Sequence, residues 1–239
     1  MKTNGAGRWL GLAAALWVST ASGEEAKDAL VLRVFDSFYT ASELGLPATA
    51  STCRELEPLV KTLMGSLFAD YCENAGIFVG EEDLKEYCRR QLPVDVPFEE
   101  AWAQWAPGGG QWRMRKLAIA ELTMWKLQQS LFEKYGGRVA RIAGAQPQAF
   151  DAMCAYAAER KEAGDFTFHD ARIEIRFWEC LRAPKEPLVS GEDARALIAE
   201  HPADRLKRGR TAPCPRSLSS RGEMDCQSTG TRERWRKQV

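Results

Sequence analysis

The sequence predicts a mainly α fold: a small N-terminal β-hairpin packed on a helical domain, followed by a second helical segment. Two patterns predict it. Over residues 29–39 apolar and polar residues alternate around Asp36-Ser37, the period of two short strands. From residue 56 to about 200 the apolar residues recur at i, i+3 and i+4, with glycine, proline and capping residues at the breaks. A packed core is within reach, since 45% of the 239 residues are hydrophobic and 28% charged. That length holds one large domain or two small ones.

After the hairpin, Thr40-Ala-Ser-Glu43 matches a capping box, in which hydroxyl and carboxylate each satisfy a free amide at a helix start. A second box, Thr52-Cys-Arg-Glu55, opens a stronger helix with Leu56, Leu59, Val60, Leu63, Leu67, Phe68, Tyr71 and Cys72 on its apolar face. Gly76 supplies its left-handed stop. The next helix starts near Gly80-Glu-Glu-Asp83, where acids suit the helix dipole. Leu84, Tyr87 and Cys88 form its inner face, and Pro93 closes it. A short helix over 98–105 is followed by a flexible break, Pro107-Gly-Gly-Gly110. The longest pattern runs from Gln111 to Tyr135, its apolar stripe carried by Trp112, Ile119, Leu122, Trp125, Leu131, Phe132 and Tyr135, with Gly136-Gly137 as its end. Further helices fall at about 147–163, 170–182 and 190–200, with Phe166-Thr-Phe168 as a candidate short strand. From 204 onward Arg, Ser, Thr, Pro and Gly dominate, and so few apolar residues predict a disordered basic tail.

Residues 1–23 read as a signal peptide. Lys2 and Arg8 precede the ten-residue apolar run Trp9 to Val18, and small residues follow, with cleavage suited after Ala21 or Gly23. Ten residues are too few to cross a bilayer core of about 30 Å as a helix. The expected location is the periplasm or the exterior, although a buried first helix or an uncleaved anchor shares the pattern. Residues 24–203 carry 21 basic and 29 acidic side chains, so the body is acidic and no nucleic-acid partner is expected. Residues 204–239 carry 10 basic and 4 acidic ones, which leaves the tail as the place for any membrane contact. Export puts the seven cysteines in an oxidising compartment. Cys72 and Cys88 come within reach of a bridge if their helices form a hairpin. Cys53, Cys154 and Cys180 have no evident mates. With only His169 and His201 and no Cys-x-x-Cys, neither a metal site nor a cofactor is expected.

The order of hairpin, capped helix, long helix, acid-capped helix, loop and long helix resembles the N-terminal chaperone domain of the SurA family and its parvulin-type prolyl isomerase relatives. Arg33-Val34 and Thr40-Ala-Ser-Glu-Leu44 stand in register with the family's Arg-Val-Asn-Gly-x-x-Ile-Thr-x-Ser-Glu-Leu, and 75–84 is similar to its acidic helix entry. Residues 112–127 look like its final long helix, which the resemblance implies packs back on the hairpin. The likeness covers roughly 29–135 and implies a chaperone domain at 24–138, with 139–203 as a helical C-terminal segment. Phe35-Asp36 occupies the Asn-Gly place. A two-residue turn there asks Phe35 for a positive φ; a wider turn, or one shifted to Asp36-Ser37, avoids it.

The resemblance implies an exported, ATP-independent chaperone-like or assembly protein that binds unfolded or extended polypeptides, outer-membrane proteins among them. The candidate polypeptide-binding residues are Phe98, Trp102, Trp105 and Trp112, which flank the glycine-rich break; the alternative is that these rings fill a helical core. A peptidyl-prolyl isomerase and an accessory subunit of an envelope complex are the other readings. Nothing in 136–203 resembles the parvulin domain that the first of these needs. His169-Asp170, with Cys154 upstream, is a conceivable Cys–His pair but reads better as a strand end and helix cap.

Overall fold

The computed structural model describes residues 29–47, 49–141, 146–183 and 187–211, with side chains as far as 207. The predicted signal peptide, the tail from 212 and two of the seven cysteines, Cys214 and Cys226, lie outside the described residues. The fold is mainly helical with a small antiparallel sheet at its N-terminal end.

The strands β1 (Leu30–Val34) and β2 (Ser37–Thr40) form the predicted hairpin, and Val34 pairs with Ser37. The turn is therefore Phe35-Asp36 itself. Phe35 sits at φ 50°, a region that costs a residue with a Cβ about 1–2 kcal/mol. Two contacts offset that cost: its N–H donates to the Asp165 carbonyl at 2.6 Å, and its ring packs on the core. The register shifts between Leu30 and Leu32, a bulge that lets the consecutive residues Val31 and Leu32 both be buried.

The first capping box forms as predicted, with the Thr40 N–H donating to Glu43 Oε2 at 2.8 Å. No α-helix follows it. A single turn over 41–45 ends where Gly45 takes φ 62° ahead of Pro47. The second box also forms: the Thr52 N–H donates to Glu55 Oε2 and the Glu55 N–H to Thr52 Oγ1. It leads into α1 (Glu57–Asn74), whose Leu59, Leu63 and Leu67 are fully buried, each worth about 1.5–3 kcal/mol. Then come α2 (Glu81–Gln91), α3 (Phe98–Trp105) and α4 (Trp112–Tyr135). Within α4, Ile119 is 38% exposed and lies off the buried stripe, which instead takes Ala118, Leu122, Leu127 and Leu131.

The second segment folds onto the first. After β3 (Val139–Ala140) and α5 (Phe150–Glu162), the strand β4 (Phe166–Phe168) pairs antiparallel with the free side of β1, giving the order β2-β1-β4. Then follow α6 (Ala171–Arg182), β5 (Leu188–Val189), which pairs with β3, and α7 (Gly191–Ala199). One core joins β1, α1, the C-terminal half of α4, α5, α6 and α7, and so spans the boundary at 138/139. A second, smaller core joins α2, α3, the N-terminal half of α4 and α8 (Pro202–Thr211). The helix α8 corrects the expectation of disorder from 204. Proline at its first position, the Arg90–Asp204 ion pair and the Gln91 side-chain bond to the Ala203 carbonyl at 2.9 Å hold it on α2.

The side chain of Gln128, 2% exposed, ties α4 to α5. Its Oε1 accepts from the Ala149 N–H at 2.7 Å, at the start of α5. Two of the cysteines without an evident mate in the sequence pair with each other. Cys53, in the turn before α1, bonds to Cys180 near the end of α6, while Cys72 and Cys88 are free thiols. The bridge spans a sequence separation of 127 residues, so closing that loop removes much of the unfolded chain's freedom. Reduction, or Cys53→Ser with Cys180→Ser, is expected to lower unfolding free energy by about 2–5 kcal/mol in urea titrations. An unchanged midpoint in reductant would show the bond to be energetically idle.

Candidate functional site

The second core orders a row of aromatic rings that is buried at its middle and half-buried at both ends. His201, at the start of α8, sits edge-on to Trp125 at 4.9 Å and 5.9 Å from Tyr87. Tyr87 lies 6.1 Å from Trp105, Trp105 lies 6.2 Å from Trp102, and Trp102 stacks on Phe98 at 6.1 Å with the planes 16° apart. Three helices supply the other rings: Phe98, Trp102 and Trp105 recur at i, i+4 and i+7 on one face of α3, while α2 gives Tyr87 and α4 gives Trp125.

Cations cover the outer end of the row. The Arg89 guanidinium stands 4.5 Å over the Phe98 ring, and that of Arg115 stands 5.2 Å over Trp102 and 5.7 Å over Trp112. Lys116 Nζ lies 5.8 Å over Trp112. The result is a continuous series of cations and rings, Arg89, Phe98, Trp102, Arg115, Trp112, Lys116, drawn from α2, α3 and α4. Each cation–ring pair contributes about 0.5–1 kcal/mol at such exposed sites.

Phe98, Trp102 and Trp105 thus fall in one row, but with different access. Trp105 is 4% exposed and its Nε1 donates to Gln111 Oε1, so it is a core residue. Phe98 and Trp102 are half-buried. Trp112, also half-buried, joins the row only through Arg115. The sequence reading missed Tyr87, Trp125 and His201 as members, and missed the cations altogether. One signal was available: Arg115 and Lys116 follow Trp112 at i+3 and i+4, the spacing that brings side chains together on a helix. Beside the series, Met114 and Leu117 are 44% and 57% exposed on α4.

The Pro107-Gly-Gly-Gly110 link is a closed turn, contrary to the flexible break expected. The Gly109 N–H donates to the Ala106 carbonyl and the Gln111 N–H to the Gln104 carbonyl. A Cβ on Gly109 would stand 2.4 Å from the Gln104 carbonyl oxygen, so only glycine lets the chain pass. This turn sets α3 against the start of α4 and so places Trp102 under Arg115.

The free thiols and the His169-Asp170 pair have structural settings. Burial raises the thiols of Cys72 and Cys154 and pushes that of Cys88 up to about 11, so all three stay protonated near neutrality. Asp170 caps α6 by accepting from the Arg172 N–H, while the Cys154 thiol donates to the Leu181 carbonyl. Among the described residues no group of three or more His, Cys, Asp or Glu side chains is placed to hold a metal ion, and no helix is long and apolar enough to cross a membrane. A cleft of about 610 Å³ between α7 and the β3–β5 pair contains none of the aromatic row. Compared with protein-family models, curated proteins and solved structures, the chain matches none.

Two outcomes test this geometry. Gly109→Ala is expected to cost about 1–3 kcal/mol of stability by thermal or urea unfolding, because backbone must move to admit the methyl group. The second outcome concerns pH. His201 Nδ1 accepts from the Ala203 N–H at 3.2 Å, which requires that nitrogen to be unprotonated. Burial lowers the His201 pKa from its ordinary value, Arg90 and Arg205 add to this, and Asp204 and Glu86 oppose it. The unfolded chain therefore binds this proton more readily than the folded one. The contribution is whole above the unfolded pKa of about 6.5 and is lost as pH falls below it. Melting temperature is expected to drop between pH 7 and 5.5 in the natural protein, and less so in His201→Gln; equal slopes would refute the assignment.

Proposed function

We propose that this protein is an exported, ATP-independent binding protein that holds extended or unfolded polypeptide segments on the outer face of α3 and the N-terminal half of α4. One observation carries the reading: a surface where Phe98, Trp102 and Trp112 are capped by cations, with the exposed Met114 and Leu117 nearby on α4. Exposed apolar area of this kind, set among polar groups, is characteristic of protein interaction sites. Rings and guanidinium planes also grip many partners, because they offer large, stiff contact area with little loss of side-chain freedom.

The order of hairpin and helices that resembles the SurA-type chaperone domain supports the same reading, as does the Cys53–Cys180 bond, since disulfides persist mainly in oxidising compartments. Protonated thiols fit a binding role better than covalent catalysis. Trp105 belongs to the support of this surface and not to the surface itself.

The test is suppression of aggregation of a chemically unfolded model protein, together with anisotropy of a labelled extended peptide. Trp102→Ala combined with Leu117→Ser is expected to weaken peptide binding about tenfold or more, as loss of a central aromatic anchor does at other interfaces. Unaltered affinity would remove the site from this face. Turnover above background in a peptidyl-prolyl isomerisation assay would overturn the binding-only reading. Recovery of a single stoichiometric partner from the envelope would replace it with that of an assembly subunit.

A further inference from the structure

Resting on that reading, we infer that the surface selects acidic segments: extended polypeptide in which carboxylate side chains alternate with apolar ones. The argument begins with charge. Residues 24–203 carry more acids than bases, yet residues 101–150 carry seven basic and only two acidic side chains. Three of those cations, Arg113, Arg115 and Lys116, fall within the first turns of α4, where no acid stands and the helix dipole disfavours positive charge. Among the described residues none of the three has a carboxylate within ion-pair distance. Most other cations of the helices are paired in that way, as Lys61, Lys85, Arg90, Lys126 and Lys134 are.

Geometry adds direction. The Arg115 guanidinium lies over Trp102 and Trp112, at 5.2 and 5.7 Å from the ring centres, and among the described residues no carboxylate stands within ion-pair distance of its N–H groups. A guanidinium N–H edge matches a carboxylate in two parallel hydrogen bonds. Arg113 shares a helical stripe with the exposed Leu117, Ala120 and Met124, at i, i+4, i+7 and i+11. Cationic and apolar side chains therefore stand side by side on one face. A lipid surface fits this less well, because an interfacial helix keeps its cations on the face opposite the buried apolar one. Here, Arg113 would be drawn into the acyl layer with Leu117. A polypeptide with acids between apolar residues satisfies both kinds of side chain in place.

The probes are three fluorescent peptides with the same aromatic and aliphatic positions, carrying Glu, Gln or Lys at the intervening ones. They are titrated into the full chain at low salt, alongside vesicles of phosphatidylglycerol. The Glu peptide is expected to bind about tenfold or more tightly than the Gln peptide, to weaken steeply as salt rises, and to lose that advantage in Arg113→Glu with Lys116→Glu. Both residues are exposed and, among the described residues, have no carboxylate within ion-pair distance, so the variant is expected to fold, which circular dichroism checks; Arg113→Gln with Lys116→Gln is the milder control. Because the tail is basic too, the variant locates the effect: an undiminished preference for Glu in it overturns the assignment. Equal affinity for Glu and Gln peptides overturns acid selection while leaving polypeptide binding intact. Failure of every peptide overturns the polypeptide reading itself, and binding of vesicles alone replaces it with a lipid surface.

Discussion

Strand β1 needs a partner on both sides, and its two partners lie about 130 residues apart in the chain. The near one, β2, comes through a two-residue turn; the far one, β4, comes from the other side of most of the fold. Leu32, fully buried, faces both partners through the backbone, pairing with Tyr39 on one side and Phe168 on the other. Phe35 shows how strongly the far partner acts. Its left-handed conformation is held where the Asp165 carbonyl meets its N–H, one residue before β4 begins. The Arg33 guanidinium reinforces the same junction, donating to the Gly164 carbonyl and to Thr167. Everything that lies between, including α1 and α4, is packed inside a loop closed twice, once by this pairing and once by the Cys53–Cys180 bond.

Within that loop α4 is the element both cores share. Its 24 residues measure about 36 Å, enough to lie under the sheet-side core at one end and beneath α3 at the other. The aromatic row ties its N-terminal half to α2, α3 and α8, and Trp125 marks the changeover, donating to the Ile198 carbonyl from α7 while its ring meets His201. The candidate surface is therefore built on a helix whose far half is fixed by the larger core.

Local chemistry made much of this legible in the sequence. The limits of α1 to α4 follow from Gly76, the acids after Gly80, Pro93 and Gly136, and the structure places them within a residue or two of the pattern. The capping box at Thr40–Glu43 is genuine, but Gly45 and Pro47 stop the helix it would start. The pairing of β4 and that of the cysteines depend on distance in space, which periodicity does not carry. Helix α8 reads as tail because its apolar content is low; Ala203 is buried in the smaller core, and Arg90 and Gln91 add polar contacts from α2. In the candidate site the aromatic residues were visible as composition, but their order, the burial of Trp105 and the cations over the rings arise only when three helices meet.

The covalent bond and the sheet both fasten the larger core, whereas the smaller core has neither. Its members, Leu84, Tyr87, Cys88, Ala101, Trp105, Ala118, Leu122 and Ala203, are held by packing and by polar contacts alone. The molecule therefore has an anchored end and an end free to breathe, and amide protons of α2, α3 and α8 should trade with solvent sooner than those of β1 and α5. A partner reaching the face of α3 would meet the part of the protein that yields first, so its grip would be reported as slowed exchange in α2 and α8, on elements it need not touch.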